Sequence, residues 1–302
     1  MITLDENFLR GSFPPLVTPF NTGEVDYDKF AELVEFQIEH GSHGIVVCGT
    51  TGEPSLLTID ERMQLLQVAI NTADGRIPVV AATGAQSHAE SAELLEHAAD
   101  AGAAAALIVT PYYIKPPQRG LVEYFVDLGT RTGLPLLLYH IPGRTAVDLP
   151  LDTIERIAEK IPRLVGIKLA VNDLGFATKL LVRFGTDFRL FVGLEELSFP
   201  LLAIGAAGLM NAVGNIAPRK LVDLCDAVAG GDLAAARTLH FDLFELNQAV
   251  FFDTNPIPIK WMMRRMGLLD SNEHRLPMVP ATYELEQRLD GVLQRAGLIA
   301  AA

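Results

Sequence analysis

The first candidate for chemistry in this chain is Lys168, which ends the apolar stretch at residues 163–168. The leucine, valine and isoleucine before it are typical of a strand buried on both faces, where an ammonium group finds no water. Burial favours the neutral amine of a lysine, and a free amine can attack a ketone to form a Schiff base. A lysine here can instead extend to the surface and pair with an acid. The residues that the fold brings near Lys168 decide between a reactive amine and a surface ion pair.

Two loops after other apolar runs carry hydroxyl, amide and guanidinium groups. Gly49-Thr50-Thr51-Gly52-Glu53 follows the run at 44–48, and its amides and hydroxyls can hold a carboxylate or a phosphate. It is not a P-loop, because no Lys-Ser/Thr pair follows the glycine. Arg144 follows the run at 135–139 and can form two hydrogen bonds to a substrate carboxylate. Each also has a structural interpretation, with the threonines as turn or cap residues and Arg144 in a surface salt bridge.

Tyrosines and acids occupy similar places. Tyr112 and Tyr113 follow the apolar run at 105–110. Tyr139 ends the run at 135–139, and Glu195 and Glu196 follow the run at 189–193. A tyrosine hydroxyl beside a lysine can relay protons, although the tyrosines can also be interface aromatics. Because all these side chains follow apolar runs rather than precede them, we interpret them as one site for carbonyl chemistry on an anionic substrate.

The histidines and cysteines show no arrangement for a metal. His40 and His43 have a His-x-x-His spacing, but they fall where a helix ends and a strand begins, away from the other candidates. Cys48 and Cys225 cannot form a disulfide framework or a cysteine-based zinc site by themselves, which agrees with a reducing compartment. We therefore expect no metal and a cytoplasmic location.

The elements that must position these residues alternate short apolar runs with longer amphipathic stretches, at a repeat of roughly 25 to 30 residues. Strands are predicted at residues 13–18, 44–48, 78–82, 105–110, 135–139, 164–168, 189–193 and 208–212. Eight such repeats within about 215 residues predict an α/β fold, the (β/α)8 TIM barrel, with its active site at the C-terminal ends of the strands. An open doubly wound sheet is the alternative, but no Gly-x-Gly-x-x-Gly follows the first strand.

The last part of the chain has a different pattern. Amphipathic stretches at residues 218–229, 233–252, 256–266 and 281–296 predict helices without intervening strands. No linker rich in proline, glycine or serine precedes them. We therefore predict a catalytic barrel over residues 1–217 and a C-terminal helical region over residues 218–302 packed on it.

The charge balance argues against two classes of partner. Lysine and arginine number 24 against 37 aspartate and glutamate residues, a formal net charge of −13. A nucleic-acid or anionic-membrane role therefore lacks its electrostatic basis. No uninterrupted apolar run approaches membrane-spanning length, and residues 1–10 do not have the pattern of a secretion signal.

Five motifs together resemble a known family. They are Gly49-Thr-Thr-Gly-Glu53, Thr110-Pro-Tyr-Tyr113, Tyr139-His-Ile-Pro-Gly-Arg-Thr145, Gly166-Ile-Lys168 and Asn255-Pro-Ile-Pro-Ile-Lys260. Their order and spacing, from about residue 11 to residue 295, resemble the dihydrodipicolinate synthase / N-acetylneuraminate lyase family of class I aldolases. The resemblance implies a (β/α)8 barrel with C-terminal helices, commonly a homotetramer built as a dimer of dimers. It also implies Schiff-base chemistry on pyruvate with no cofactor.

The resemblance assigns catalytic roles to four residues. Lys168 resembles the lysine that forms the imine with pyruvate, and Tyr139 the tyrosine that carries protons to and from it. Thr50 and Tyr113 resemble the relay partners of that tyrosine, with Tyr113 reaching into the site of a neighbouring subunit.

Further residues resemble those that bind substrates. Thr51, with the amides of its loop including Gly52, resembles the site for the pyruvate carboxylate. Arg144 resembles the arginine that holds the carboxylate of the second substrate. Gly193 and Met210 occupy positions that line the pocket and contribute backbone groups.

Departures from the family pattern bear on the substrate. Leu169 stands where the synthases usually have glutamate, and His140 replaces an asparagine. The pair Glu195-Glu196 looks like the acids of sugar-acid lyases that bind substrate hydroxyls. Ile59 and Arg62 stand where lysine-inhibited synthases tend to carry histidines, so we do not expect inhibition by lysine.

The resemblance implies a metal-independent lyase or aldolase that joins pyruvate and an aldehyde, with aspartate semialdehyde as the leading co-substrate. One alternative is a catabolic pyruvate aldolase for a hydroxy-oxo-diacid, such as 2,4-dihydroxyhept-2-ene-1,7-dioate, or for a sugar acid. The other is a protein that binds an oxo acid without converting it.

Overall fold

The computed structural model describes residues 1–300, in which eight parallel strands, β1 to β8, form one nearly closed barrel. Because the strands are covered on both faces, most of their residues are apolar and buried. The strands are Gly11–Ser12, Ile45–Val47, Val79–Ala82, Ala105–Val109, Leu136–His140, Leu164–Leu169, Arg189–Val192 and Gly208–Leu209. The predicted (β/α)8 barrel is confirmed.

Eight helices of six or more residues, α1 to α8, follow the strands, and three more, α9 to α11, end the described chain. Six of the eleven begin with a side-chain cap, such as the reciprocal capping box of Thr58 and Glu61 at the start of α2. The helices are Tyr27–Glu39, Ile59–Ala73, His88–Ala101, Gln118–Thr130, Leu151–Lys160, Leu174–Phe184, Ser198–Ala203, Pro218–Ala229, Leu233–Ala249, Ile257–Arg265 and Tyr283–Arg295.

The first strand differs from the prediction of residues 13–18. Its regular ladder covers only Gly11–Ser12, because Pro14 and Pro15 have no N–H groups to donate. The chain nevertheless continues alongside β2. Val46 donates to the carbonyl of Pro14 and accepts from the N–H of Leu16, both at 3.0 Å, and these two bonds join the two ends of the sheet.

The interior of the barrel is apolar, and its N-terminal end is blocked by the start of the chain. Phe13 and Phe191 meet edge to face inside, with ring centroids 5.3 Å apart. At the N-terminal end the buried guanidinium of Arg189 donates to the carbonyls of Asp5 and Phe8, each at 3.0 Å. A ligand can therefore approach only the opposite end, where the strands finish.

The C-terminal helices pack directly on the barrel. Helix α8 contacts β1 and β8, α9 packs on α8, and α10 packs on α11. The boundary at residues 217 and 218 stays a prediction. None of the helices in residues 1–300 is long and apolar enough to cross a membrane.

Candidate active site

Strand register places Lys168 beside Tyr139. The two residues pair across β5 and β6, and the ammonium nitrogen of Lys168 lies 4.5 Å from the centre of the Tyr139 ring. Lys168 is only 3% exposed, and its charge does not reach the surface. A buried amine against a tyrosine suits Schiff-base chemistry, and the alternative of a surface lysine is wrong.

Two glycines make room for this pair. A Cβ atom on Gly193 would lie 2.8 Å from Cε of Lys168, so only glycine leaves space for the lysine stem. A Cβ atom on Gly166 would lie 2.2 Å from the carbonyl oxygen of Arg189 on the next strand. Close strand packing in this part of the barrel therefore depends on glycine.

The loop after β2 brings hydroxyl groups to the same end of the barrel. Thr50 begins a short 3-10 turn, and its hydroxyl lies 3.2 Å from the Tyr139 hydroxyl. The next hydroxyl, of Thr51, is buried and accepts from the Asn255 amide at 3.0 Å, so its own proton is available to a ligand. Gly52 shapes the turn, since its N–H donates to Gly49 and its carbonyl accepts from Thr18.

A buried ion cluster holds this loop in place. Glu53, in the left-handed conformation with φ 55°, accepts from Lys260 at 2.9 Å and lies 2.9 Å from Nδ1 of His274. Lys260 also donates to the carbonyl of Glu273 and lies over the ring of Phe20. Burial lowers the pKa of Lys260, while Glu53 acts against that shift. Sequence reasoning quoted Glu53 and Lys260 in motifs without giving them roles, although a lysine in the apolar stretch 257–263 was the available signal.

Above the strand ends lies a cavity of about 350 Å³. Thr50, Tyr112, Tyr139 and Arg144 line it, and the Arg144 guanidinium is also 3.3 Å from the carbonyl oxygen of Asn255. The remaining lining residues come from strands β3 and β4, helix α2, the segments that follow β2 to β5, and the C-terminal region: Cys48, Gly49, Glu53, Pro54, Ser55, Leu56, Arg62, Ala82, Gly84, Leu107, Val109, Ile141, Thr145, Asn255, Pro256, Pro277 and Met278.

Other predicted site residues lie outside this cavity. Tyr113 is 84% exposed with φ 74°, so its side chain points away from its own barrel. Met210 is buried in the barrel interior, and Glu196 is exposed at the surface. The structure thus brings Lys168 together with Tyr139 and Thr50, but it does not bring Tyr113 or Glu196 to them within one chain.

Glu195 is placed differently from its exposed neighbour. Its carboxyl group is buried, and Oε1 accepts from the N–H of Ala212 at 2.7 Å. Burial raises the pKa of Glu195 to about 7, while backbone hydrogen bonds and the charge of Lys168 act in the opposite direction. Glu195 does not line the cavity, so a role in binding substrate hydroxyls stays a prediction.

Leu169 and His140, the two departures from the family pattern that follow Lys168 and Tyr139, face the helices rather than the cavity. Leu169 belongs to the apolar layer between strands and helices, together with Ile167. His140 is buried beside Phe176 of α6, and burial lowers its pKa. Neither side chain can therefore select the substrate by direct contact.

Within residues 1–300, no three histidine, cysteine or acidic side chains are placed to share a metal ion. The cavity instead offers the hydroxyls of Thr50, Tyr112 and Tyr139 and a guanidinium, and the Lys168 amine lies against the ring of Tyr139. These groups can form an imine, move protons and hold carboxylates.

Known proteins are similar to this chain over nearly its full length. The model of the Dihydrodipicolinate synthetase family matches residues 8–296. A protein of Thermus thermophilus named 4-hydroxy-tetrahydrodipicolinate synthase is 43% identical over 291 residues, which are 96% of this chain and 97% of that protein. A protein of the same name from Oleidesulfovibrio alaskensis is 41% identical over 289 residues, 96% of this chain and 99% of the relative.

Solved structures agree with these relatives. The dihydrodipicolinate synthase of Aquifex aeolicus superimposes with a TM-score of 0.94 at 37% identity, covering 96% of this chain and 98% of its own. The chloride-inhibited dihydrodipicolinate synthase of Acinetobacter baumannii, complexed with pyruvate, superimposes with a TM-score of 0.93 at 40% identity. The match covers 96% of this chain and 100% of that structure. Both similarities extend from the barrel through the C-terminal helices.

Proposed function

Because the chain belongs to the dihydrodipicolinate synthetase family, it is a pyruvate-dependent lyase, and we propose that it condenses pyruvate with aspartate semialdehyde as a 4-hydroxy-tetrahydrodipicolinate synthase. The observation that carries the proposal is the buried amine of Lys168 beside the hydroxyl pair of Tyr139 and Thr50. Relatives at about 40% identity carry the name of that synthase. The departures Leu169 and His140 lie away from the cavity, which removes one reason for preferring another aldehyde.

The reaction begins at Lys168. Its neutral amine adds to the C2 carbonyl of pyruvate, and loss of water leaves a cationic imine. Loss of a C3 proton then gives a neutral enamine, whose C3 attacks the aldehyde carbon and forms the new carbon-carbon bond. Water finally cleaves the imine and restores the lysine. Tyr139 carries the protons of these steps, and its 3.2 Å contact with Thr50 orients its hydroxyl.

Two of the proposed site residues carry groups that can bind carboxylates. We assign the pyruvate carboxylate to Thr51, whose hydroxyl accepts from Asn255 and can donate to the substrate. Arg144 lines the cavity and can hold the carboxylate of the aldehyde with paired N–H groups. Gly193 serves by leaving space for the Lys168 stem, and Met210 packs in the barrel interior. No cofactor beyond the covalent imine is needed for these steps.

We further propose a homotetramer, a dimer of dimers, in which Tyr113 of one subunit completes the site of another. Tyr113 and Ile114 are large, exposed and adjacent, which suits a contact between copies. The catalytic barrel of residues 1–217 with a helical region of residues 218–302 remains our proposed division. Two unpaired cysteines, Cys48 and Cys225, support a reducing compartment such as the cytoplasm.

Trapping of the imine tests the mechanism. Borohydride added with pyruvate should attach one pyruvate-derived mass to the peptide that contains Lys168. The Lys168→Ala variant should lose the adduct and nearly all turnover, whereas Lys179→Ala, which removes an exposed lysine on α6, should keep both. An unmodified Lys168 in folded protein would refute the mechanism.

A coupled assay tests the co-substrate. Turnover of pyruvate with aspartate semialdehyde should exceed turnover with succinate semialdehyde, which lacks the amino group. A clear preference for succinate semialdehyde would assign the enzyme to the catabolic aldolases instead.

A further inference from the structure

His274 is a buried histidine that does not line the cavity but contacts the loop that carries Thr50. Its Nδ1 atom lies 2.9 Å from Oε2 of Glu53, and the two side chains are 0% and 1% exposed. A carboxylate only accepts hydrogen bonds, so Nδ1 carries the hydrogen and donates it to Glu53. Within residues 1–300, Nε2 of His274 is buried and has no hydrogen-bond partner. An apolar side chain of similar size would avoid that unpaired atom, so the contact with Glu53 is what a histidine adds here.

The segment that carries this histidine, residues 271–278 between α10 and α11, is fixed on both sides of the ring. The Ser271 hydroxyl donates to the carbonyl of Phe20 at 3.2 Å. Arg275 donates two hydrogen bonds to Glu61 of α2, at 2.6 and 2.8 Å. The histidine ring therefore extends from an anchored backbone and can restrain the side chain that it contacts.

The contacted loop is strained at both ends of its turn. Cys48 and Glu53, neither of them glycine, have φ of 57° and 55°, in the left-handed region. Such conformations persist where surrounding contacts impose them. The Glu53 carboxylate is held by Lys260 on one oxygen and by His274 on the other, each at 2.9 Å. Loss of one of these contacts allows the backbone at Glu53 to relax toward an ordinary conformation.

A relaxation at Glu53 would act directly on the catalytic hydroxyls. The N–H of Glu53 donates to the carbonyl of Thr50 at 3.1 Å, and this bond closes the 3-10 turn. The hydroxyl of Thr50 lies 3.2 Å from that of Tyr139. Hydrogen bonds between hydroxyls are usually about 2.7–2.8 Å long, so a small displacement of the turn would break this contact.

We propose that His274 is a positioning residue for imine formation. Its contact with Glu53 keeps the Thr50 hydroxyl within reach of the tyrosine that carries the protons, so the inference rests on the proposed function. His274 touches no reacting atom and moves no proton itself. Its effect is on the rate at which Lys168 and pyruvate form the imine.

The rate of imine formation with pyruvate alone tests this role. His274→Leu removes the donor to Glu53, and rapid-quench borohydride trapping at saturating pyruvate should be slower by at least about tenfold, because small misplacements of catalytic groups are costly. His274→Asn is the matched control, since asparagine has nearly the shape of leucine and keeps an N–H near the place of Nδ1. It should stay close to the parent. Equal rates for the parent and His274→Leu, or equally slow rates for the two variants, would overturn the inference.

A double-mutant cycle with Thr50 distinguishes positioning from a general loss of structure. In the Thr50→Val background, His274→Leu should slow imine formation no further, because the hydroxyl through which it acts is already gone. A merely structural residue would reduce the rate by the same factor in both backgrounds, and that result would contradict the proposed role.

Glu53→Asp tests the same contact from the other partner and covers the case in which His274→Leu does not fold. It keeps the carboxylate but shortens the side chain by one CH₂ group, so the distances to His274 and Lys260 grow. It should slow imine formation in the parent background and not in the Thr50→Val background. A rate equal to that of the parent would refute the inference alone, whereas absence of any imine in the parent would overturn the proposed function.

Discussion

At the scale of single residues, Tyr139 is the point where the catalytic groups meet. Its ring lies under the Lys168 nitrogen and its hydroxyl contacts Thr50, so one side chain touches both the amine and the loop hydroxyl. The ring also lines the cavity. The proposed proton transfer and the packing of the lysine therefore involve the same residue, and they can be separated by removing only the hydroxyl.

Tyr139→Phe should lower kcat on the order of 10²-fold or more, because the general acid and base is lost while the ring under Lys168 remains. Thr50→Val should also lower kcat, whereas Thr50→Ser keeps the hydroxyl and should stay close to the parent. Steady-state kinetics measure these effects. Full activity of Tyr139→Phe would show that another group carries the protons.

Glu195 makes the stability of the fold depend on pH. Its pKa is raised from 4.5 to about 7 by burial, so the folded protein holds this proton more tightly than the unfolded chain. The stabilisation is complete below about pH 4.5 and is lost as pH rises through about 7. Relative to Glu195→Gln, the parent should lose up to about 3 kcal/mol of unfolding free energy over that range.

Urea unfolding of both proteins at equal concentration, near pH 5 and near pH 8, measures this difference. If the difference in unfolding free energy between the parent and Glu195→Gln does not change with pH, the raised pKa of Glu195 is contradicted.

At the scale of elements, the C-terminal helices help to build the active site. Lys260 on α10 bonds to Glu53 at the end of the Thr50–Gly52 turn, and Asn255 just before α10 bonds to Thr51. Pro277 and Met278, between α10 and α11, close one side of the cavity. The barrel alone would therefore leave the catalytic loop without its anchors.

Lys260→Met should destabilise the fold by about 3–5 kcal/mol, because it leaves the Glu53 carboxylate buried without its lysine partner. Adding Glu53→Gln to that variant should restore part of the loss. Denaturant unfolding measures both.

Arg219→Ala is the matched control, since the pair of Arg219 with Asp223 is exposed to solvent. It should change stability by less than about 1 kcal/mol. Equal effects of the buried and the exposed pair would show that Lys260 does not anchor the loop.

At the scale of the whole molecule, two exposed apolar surfaces point to contacts between copies. One contains Tyr113 and Ile114 beside the cavity, and the other contains Phe241 and Phe244 of α9, which are 66% and 44% exposed. Large exposed aromatic residues in a group are characteristic of interaction surfaces. The two surfaces belong to different parts of the chain, as a dimer of dimers requires.

Ile114→Asp should separate the copies that share a site and lower kcat, because Tyr113 then no longer reaches its neighbour. Phe241→Asp with Phe244→Asp should halve the mass of the assembly and leave kcat close to the parent. Analytical ultracentrifugation and steady-state kinetics measure the two effects. A fully active monomer in either case would contradict the role of Tyr113.

The sequence by itself determined the barrel and singled out Lys168 as the proposed reacting lysine. The spacing of apolar residues along a strand or a helix reflects which side of that element is buried, so it can be recognised locally. The alternation of eight apolar runs with amphipathic stretches is compatible with few other folds. Lys168, Tyr139 and Thr50 could be grouped because residues after parallel strands meet at one end of a barrel. Pro14 and Pro15 shortened the first strand, a local effect that apolar content did not reveal.

Only the tertiary structure decided which side chains face the cavity and which support it. The directions of Leu169 and His140 toward the helices, and the burial of Glu195 beside exposed Glu196, depend on strand twist and loop conformation. The contact between Glu53 and Lys260 joins residues more than two hundred positions apart. No local pattern specifies such a pair, because its energy exists only once both groups are removed from water together.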